Sequence, residues 1–361
     1  MRKVLIAAGG TGGHMFPAQA LAENLHHAGW NVAMITDERG RKHAGNIPAS
    51  PIIDVEAASI SMRRPLKAAG GAFKLAKGVV KSKMYMQQFR PDVAVGFGGY
   101  AAFPAMRAAR SLGIPIILHE QNAVLGRVNR AFAAKAHAVA SGFELLTRAP
   151  KGTNHIWTGN PLRGQIMRAV PRDYFAPDDG GDIYLLIVGG SLGAKIVSET
   201  VPAAIALLPT ALQKRLVVVQ QTREEYMDAA KDIYKACGVR ATCAPFFTDI
   251  EQHLAKAHYV IARAGASSVS EIAVMGKPSL LVPLAIAMDD HQTVNAQTLK
   301  GHDAADILPE SQFTAEGVKT TLMERLNDSH WLQSASASAR LTARPDAASK
   351  LAELVADAAQ K

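Results

Sequence analysis

Two short stretches carry residue types that handle phosphate. Gly9-Gly-Thr-Gly-Gly-His14 and Gly189-Gly-Ser-Leu-Gly193 each follow an apolar run and precede a helical pattern. A parallel strand that delivers a glycine turn onto a helix N-terminus leaves backbone N–H groups free to meet negative charge. The same turn also serves plain close packing of strand on helix. Two matched copies in one chain favour a diphosphate cradle, with Ser191 as a hydroxyl donor in the second. Neither copy is a dinucleotide fingerprint, because the third glycine of the first would fall at Met15 and the second does not continue. No glycine loop ends in Gly-Lys-Ser or Gly-Lys-Thr, which excludes a Walker A loop. A third stretch, Arg263-Ala-Gly-Ala-Ser-Ser-Val-Ser-Glu271, sets a glycine turn before a helix and a carboxylate one to two turns in. Its helix end can meet a phosphate and its Glu can accept two ribose hydroxyls. The plainer reading is a capping Ser and a solvated Glu.

The elements that position these residues alternate in the manner of parallel α/β domains. Apolar runs at Lys3–Ala8, Asn31–Thr36, Ile52–Val55, Val93–Gly96, Ile116–His119 and Ala138–Ala140 predict one series of strands. Ile183–Val188, Leu216–Gln220, Val239–Ala244, Tyr259–Ala262 and Ser279–Val282 predict a second. Right-handed crossovers then give two Rossmann-like, doubly wound domains with a cleft at the strand C-termini. The expected boundaries are 1–162 and 163–340, with a helical tail over 341–361 that can pack on either domain, and Pro161–Arg163 as a hinge.

At 361 residues, 48% hydrophobic and 20% charged, the chain has room for two cores and no low-complexity tract. The opening apolar run stops at Gly9-Gly10, too soon for a signal peptide, and no stretch is long enough to span a membrane. Cys237 and Cys243 are the sole cysteines, which argues against a disulfide scaffold or zinc site and for a cytoplasmic compartment. Residues 1–162 hold 20 Lys and Arg against 8 Asp and Glu, a net +12, whereas 163–361 hold 20 against 23. The basic half points to an anionic partner: nucleic acid, a phosphorylated ligand or a membrane surface. Between Met62 and Arg90, Arg63, Arg64, Lys67, Lys74, Lys77, Lys81 and Lys83 alternate with Leu66, Phe73, Leu75, Val79, Val80, Met84, Tyr85 and Met86, with no acidic residue between. Such a segment either solvates a lysine face or lies on anionic lipid. No nucleic-acid motif accompanies it.

Taken in order, Gly9–His14, Gly98-Gly-Tyr100, His119-Glu-Gln-Asn122, Gly159-Asn-Pro-Leu-Arg163, Gly189–Gly193, Ala264–Glu271 and Asp289-Asp-His-Gln-Thr-Val-Asn295 resemble the MurG family of glycosyltransferases over essentially the whole chain. The resemblance implies a GT-B fold, UDP-N-acetylglucosamine (UDP-GlcNAc) as donor and lipid I, an undecaprenyl-diphosphate-linked MurNAc-pentapeptide, as acceptor. It further implies inverting transfer to the 4-hydroxyl of MurNAc, giving lipid II, on the cytoplasmic face of the inner membrane. Other cell-wall synthesis proteins are expected partners and nucleic acid is not.

Carried onto matching positions, the resemblance implies donor contacts from Asn122, Arg163, Ser191, Ala266, Ser267, Ser268, Glu271, His291, Gln292 and Asn295, with Asn122 reaching across the cleft. It implies acceptor contacts from Thr11, Gly12, Gly13, His14, Tyr100 and Glu120. His14 is the expected general base, as imidazoles ordinarily titrate at ~6.5; imidazolium binding to the acceptor diphosphate is its rival role. His119, at a strand end, reads as structural. The chain departs from the family pattern at Leu192, where Gln is frequent, and at His291, which can be Gln. No Asp-x-Asp occurs, so neither a metal nor another cofactor is expected, and Arg163, helix ends and backbone amides must stabilise the leaving UDP. Another UDP-sugar-dependent GT-B glycolipid transferase and a non-catalytic UDP-sugar-binding protein are the alternatives.

Overall fold

A computed structural model describes residues 1–10, 12–45, 47–56, 65–190 and 193–360, with the side chains of 65–69 outside the description. Thr11, Met62, Arg63, Arg64, Ser191 and Leu192, and the side chains of Leu66 and Lys67, therefore lie outside the described residues. The chain divides into two compact units, Met1–Gly164 with Arg344–Lys361, and Gln165–Ala343.

The first unit is built on seven parallel strands: β1 (Lys3–Ala7), β2 (Asn31–Thr36), β3 (Ile52–Asp54), β4 (Val93–Gly96), β5 (Ile116–Glu120), β6 (Ala138–Ser141) and β7 (His155–Trp157). Their order is β3-β2-β1-β4-β5-β6-β7. The helices α1 (Gly12–His27), α2 (Glu38–Arg41), α3 (Pro65–Phe89), α4 (Gly99–Ser111) and α5 (Arg127–Phe132) connect them. Near-continuous burial of β1, β2, β4, β5 and β6 shows a sheet covered on both faces, as parallel sheets require.

The second unit repeats the plan with six strands: β8 (Ile183–Val188), β9 (Leu216–Gln221), β10 (Arg240–Ala244), β11 (Tyr259–Arg263), β12 (Ser279–Val282) and β13 (Ala305–Ile307), in the order β10-β9-β8-β11-β12-β13. Its helices are α6 (Gly164–Arg168, at the seam in the chain), α7 (Lys195–Ala206), α8 (Thr210–Arg215), α9 (Met227–Ala236), α10 (Ile250–Lys256), α11 (Ala266–Met275), α12 (His291–Lys300), α13 (Ala315–Leu326) and α14 (Ser329–Leu341). Ile183, Leu185 and Ile187 alternate into one core with Val197, Val201 and Ile205 of α7.

Two strands escape the sequence pattern, β7 and β13. Each spans three residues at a sheet edge, only two of them apolar, and is held by pairing to β6 and β12.

The last helix, α15 (Ala347–Ala358), returns to the first unit. Leu351, Val355 and Ala358 recur at helical spacing and enter the core that holds Ala18, Leu21, Ala22 and Leu25 of α1. Just ahead of it, the Arg344 guanidinium lies 3.6 Å from the centre of the Trp157 ring. Leu351 is fully buried, so Leu351→Ala should lower the unfolding free energy of the first unit by about 2–5 kcal/mol, read by urea denaturation.

Candidate functional site

In the first unit the strand order reverses between β1 and β4, which pair through Ala7 and Gly96. Connections diverge there, so the chain after each strand opens at the sheet's C-terminal edge, where α/β folds bind ligands. The glycine run after β1 is tightly seated. A Cβ on Gly9 would stand 2.4 Å from that of Ala101 and 2.8 Å from Asp37 Oδ1. Buried Asp37 accepts hydrogen bonds from Gly10 N at 2.9 Å and Gly40 N at 2.8 Å, closing the loop onto α2. Gly12 and Gly13 begin α1, one buried and one exposed, and His14 follows, half-buried in the first turn. His14 Nδ1 lies 2.8 Å from Phe97 O, just past β4, and 2.8 Å from Gln121 Oε1, just past β5. Tyr100, exposed at the start of α4, and Arg163, stacked 4.4 Å from the centre of the Phe16 ring, belong to the same unit.

Glu120, expected from sequence to assist the acceptor, is buried at 3% exposure. Its carboxylate accepts from Asn122 N and Nδ2, from Gly126 N at 2.9 Å and from Asn129 Nδ2 at 2.9 Å. That set folds the segment from β5 to α5 around one charge and holds Asn122 in place. Asn129 is a participant that sequence reasoning missed, since only its position on α5 brings it to Glu120.

His119 is fully buried, its Nε2 3.2 Å from Gly159 O and its Nδ1 3.1 Å from Gln121 Nε2. Burial is the main cause lowering its pKa to about 4.

In the second unit the order reverses between β8 and β11. The loop after β8 admits no side chain at Gly189, where a Cβ would meet Ala194 N at 2.4 Å. Gln221 Oε1 accepts from Gly189 N at 3.0 Å, and its Nε2 donates to Pro245 O, fixing the loop from below. After β11 the chain turns at Gly265 into α11, whose first turn has no side-chain cap. The N–H groups of Ala266, Ser267 and Ser268 are thereby left as donors of the kind that hold anions. Ser267, Ser268 and Glu271 fall on adjoining positions of that helix, all half-buried.

Asn295 is fully buried, with Nδ2 donating to Ala264 O at 3.2 Å. It therefore ties α12 to the turn before α11. Gln292 Oε1 accepts from Leu284 N at 3.0 Å, leaving its NH2 as donor, and His291 Nδ1 donates to Met288 O at 2.8 Å. Asp289 and Asp290, at φ of 56° and 53°, form the strained turn that presents His291. Arg263, another contributor not assigned from sequence, is buried at the end of β11. It donates to Val282 O and Pro283 O and pairs with Glu310, holding the start of the loop after β12. Among the described residues no three His, Cys, Asp or Glu side chains gather as a metal site.

His119 makes the first unit sensitive to acid. Unfolded, it titrates near 6.5, and folded near 4, so the unfolded chain takes up the proton first as pH falls. Its contribution is whole above about pH 6.5 and is lost between there and about pH 4, at about 1.4 kcal/mol per pH unit. Unfolding free energy measured across that range should fall accordingly, and His119→Asn should remove about one proton's share of the slope.

Comparison with known proteins follows the same two-part plan. The glycosyltransferase family 28 N-terminal domain matches residues 4–141 and the family 28 C-terminal domain matches 184–351. The UDP-N-acetylglucosamine--N-acetylmuramyl-(pentapeptide) pyrophosphoryl-undecaprenol N-acetylglucosamine transferase of Maricaulis maris is 51% identical over 356 residues, 98% of this chain and 97% of that protein. The protein of the same name from Rhodospirillum centenum is 42% identical, over 99% of this chain and 95% of that one. The crystal structure of Acinetobacter baumannii MurG superposes with a TM-score of 0.81 at 31% identity, covering 99% of this chain and 100% of that chain. A UDP-GlcNAc 2-epimerase from Neisseria meningitidis, 13% identical with a TM-score of 0.65 and covering 98% and 100%, shares the fold alone. The chain thus belongs to the MurG family of transferases, within glycosyltransferase family 28.

Proposed function

We propose that this protein transfers N-acetylglucosamine from UDP-GlcNAc to the 4-hydroxyl of MurNAc in lipid I, giving lipid II and UDP. The observation that carries this reading is 51% identity along 98% of the chain to a transferase named for that reaction. The first unit takes the acceptor, with its diphosphate on Gly12 and Gly13 at the start of α1 and Tyr100 beside it. The second takes the donor, with phosphate on the N–H groups of Ala266–Ser268, ribose hydroxyls on Glu271, and sugar hydroxyls near His291 and Gln292. Arg163 and Asn122, which the resemblance also assigns to the donor, belong to the first unit.

His14 removes the proton from the attacking hydroxyl as its oxygen bonds to the anomeric carbon. The bond from that carbon to the UDP oxygen breaks with its electron pair, and the sugar configuration inverts. Helix-end N–H groups and Arg163 stabilise charge that grows on the departing diphosphate, so their effect falls on the transition state. General-base help of this kind contributes about 10²–10⁴-fold. Transfer of labelled N-acetylglucosamine to a short-chain lipid I analogue should show a kcat loss of that order for His14→Ala at saturating substrates. A raised acceptor KM with kcat preserved would instead make His14 a diphosphate ligand.

For an acceptor with a lipid anchor, α3 supplies the surface. Phe73, Val80 and Met84 are 73%, 58% and 66% exposed and fall on one stripe at helical spacing. Lys77 lies within that stripe, Lys74 and Lys81 along one flank and Lys83 along the other. Glu56 lies 3.9 Å from the Lys74 ammonium and 3.3 Å from that of Lys77, and Asp54 O accepts from Lys81 Nζ. Among the described residues no helix is long and apolar enough to cross a membrane. The stripe instead lies on anionic lipid at the inner membrane's cytoplasmic face, with about 1 kcal/mol from each lysine. Lys74→Glu, Lys77→Glu and Lys81→Glu together should weaken sedimentation with phosphatidylglycerol vesicles by about 100-fold or more while leaving UDP-GlcNAc binding intact.

A further inference from the structure

Three side chains and two backbone carbonyls form a continuous hydrogen-bonded line in the first unit: Gly159 O, His119, Gln121, His14 and Phe97 O. Its polarity follows from elementary donor and acceptor chemistry. A carbonyl oxygen only accepts. Gly159 O therefore requires a proton on His119 Nε2, which leaves Nδ1 of that neutral ring as an acceptor. Nδ1 must then be met by a donor, and the Gln121 NH2 stands 3.1 Å away. With its nitrogen turned to His119, the amide presents Oε1 to His14 Nδ1 at 2.8 Å, which requires a proton there. Phe97 O, also 2.8 Å from His14 Nδ1, makes the same demand independently from the other end. The two carbonyls leave the amide one orientation and each imidazole one neutral tautomer.

We propose that Gln121 and His119 are positioning residues that hold His14 in its Nδ1–H tautomer, so that Nε2 carries the lone pair that takes the acceptor proton. This rests on the reading of His14 as the general base. Among the described residues Nε2 has no hydrogen-bonding partner, and a Cβ at Gly99 would stand 3.7 Å from it, so the glycine leaves that edge of the ring clear of a side chain. Without the line, a neutral imidazole is free to place its proton on either nitrogen, and the Nε2–H form cannot accept one at the reacting edge. His119 suits the anchoring role because it is fully buried and stays neutral at working pH. His119 interacts electrostatically with His14, whereas Glu120, its neighbour on β5, is turned to Asn122, Gly126 and Asn129. Gln121 itself is buried at 2% exposure, so its side chain is placed to act through His14 rather than on a ligand.

The tautomer is read directly, apart from activity, by two-bond ¹⁵N–¹H correlation spectra of the full-length protein labelled at histidine, with His14→Ala and His119→Asn assigning the signals. The expected result is Nδ1–H for His14 and Nε2–H for His119 above pH 7. An Nε2–H signal for His14 overturns the proposal. Gln121→Leu should mix the His14 tautomers and lower kcat on the order of 10²-fold, with the acceptor KM little changed and UDP-GlcNAc binding by calorimetry intact. Gln121→Glu keeps an acceptor on Nδ1 but adds negative charge, which favours the imidazolium. It should restore part of kcat and move the acid limb of the kcat–pH profile upward. Mixed tautomers with unchanged kcat, or an unmoved limb in Gln121→Glu, would refute the positioning role. If His14→Ala leaves kcat intact while wild type shows the expected tautomers, the general-base reading fails and the hydrogen-bonded line stands.

Discussion

The pairing of β1 with β4 in parallel is the constraint on which the rest of the first unit depends. Ala7 opposite Gly96 sets the level at which both strands end, so the glycine run at 9–13 and the turn at Phe97–Gly99 emerge side by side. From there α1 and α4 depart, and the opening between them is filled by His14. The hydrogen bond from its Nδ1 to Phe97 O joins the two departures. Pairing of β8 with β11 does the same in the second unit, where the glycine loop at 189–193 and the turn at 264–266 leave adjacent strand ends. Each unit thus carries its chemistry at the point where its strand order reverses, because that is where backbone N–H groups are left without partners.

Around these openings, buried polar side chains bind backbone. Asp37, Glu120, Gln221, Arg263 and Asn295 each take main-chain donors or acceptors from a loop beside a strand end. Leaving such groups unpaired in a buried setting costs about 1–3 kcal/mol apiece, so the loops are held by the penalty of every alternative. Rigid loops matter for a reaction that stabilises a departing diphosphate, since donors already in place need not reorganise as charge develops. The α11 N–H donors and the half-buried side chains of Glu271, His291 and His14 lie beside these loops.

Much of this was legible before any coordinates. Strand positions follow from apolar runs of three to six residues, and these survive almost unshifted in the structure. Beyond the three-residue edge strands, the path of α15 was also hidden. Its apolar stripe shows that it must pack, but both units offer an apolar partner, and only contact with Leu21 and Leu25 decides. At Glu120 and Asn295 the sequence names the residue but not its backbone partners. Their motif positions mark them as important, yet importance does not say whether a side chain faces ligand or backbone.

What the sequence by itself determined is the class of fold, the two glycine loops and the set of residues near the chemistry, because these follow from local periodicity and from residue type. It also determined the family, through motifs spread in order over the chain. Only the tertiary structure decided which of those residues remain open to a ligand and which are spent internally. It alone placed Phe97 O and Gly159 O, distant in sequence, at the two ends of the line through His14, Gln121 and His119. Sequence names the donors and acceptors; their pairing, and hence which nitrogen holds a proton, is settled by strands that bring distant backbone within 3 Å or so of a buried side chain.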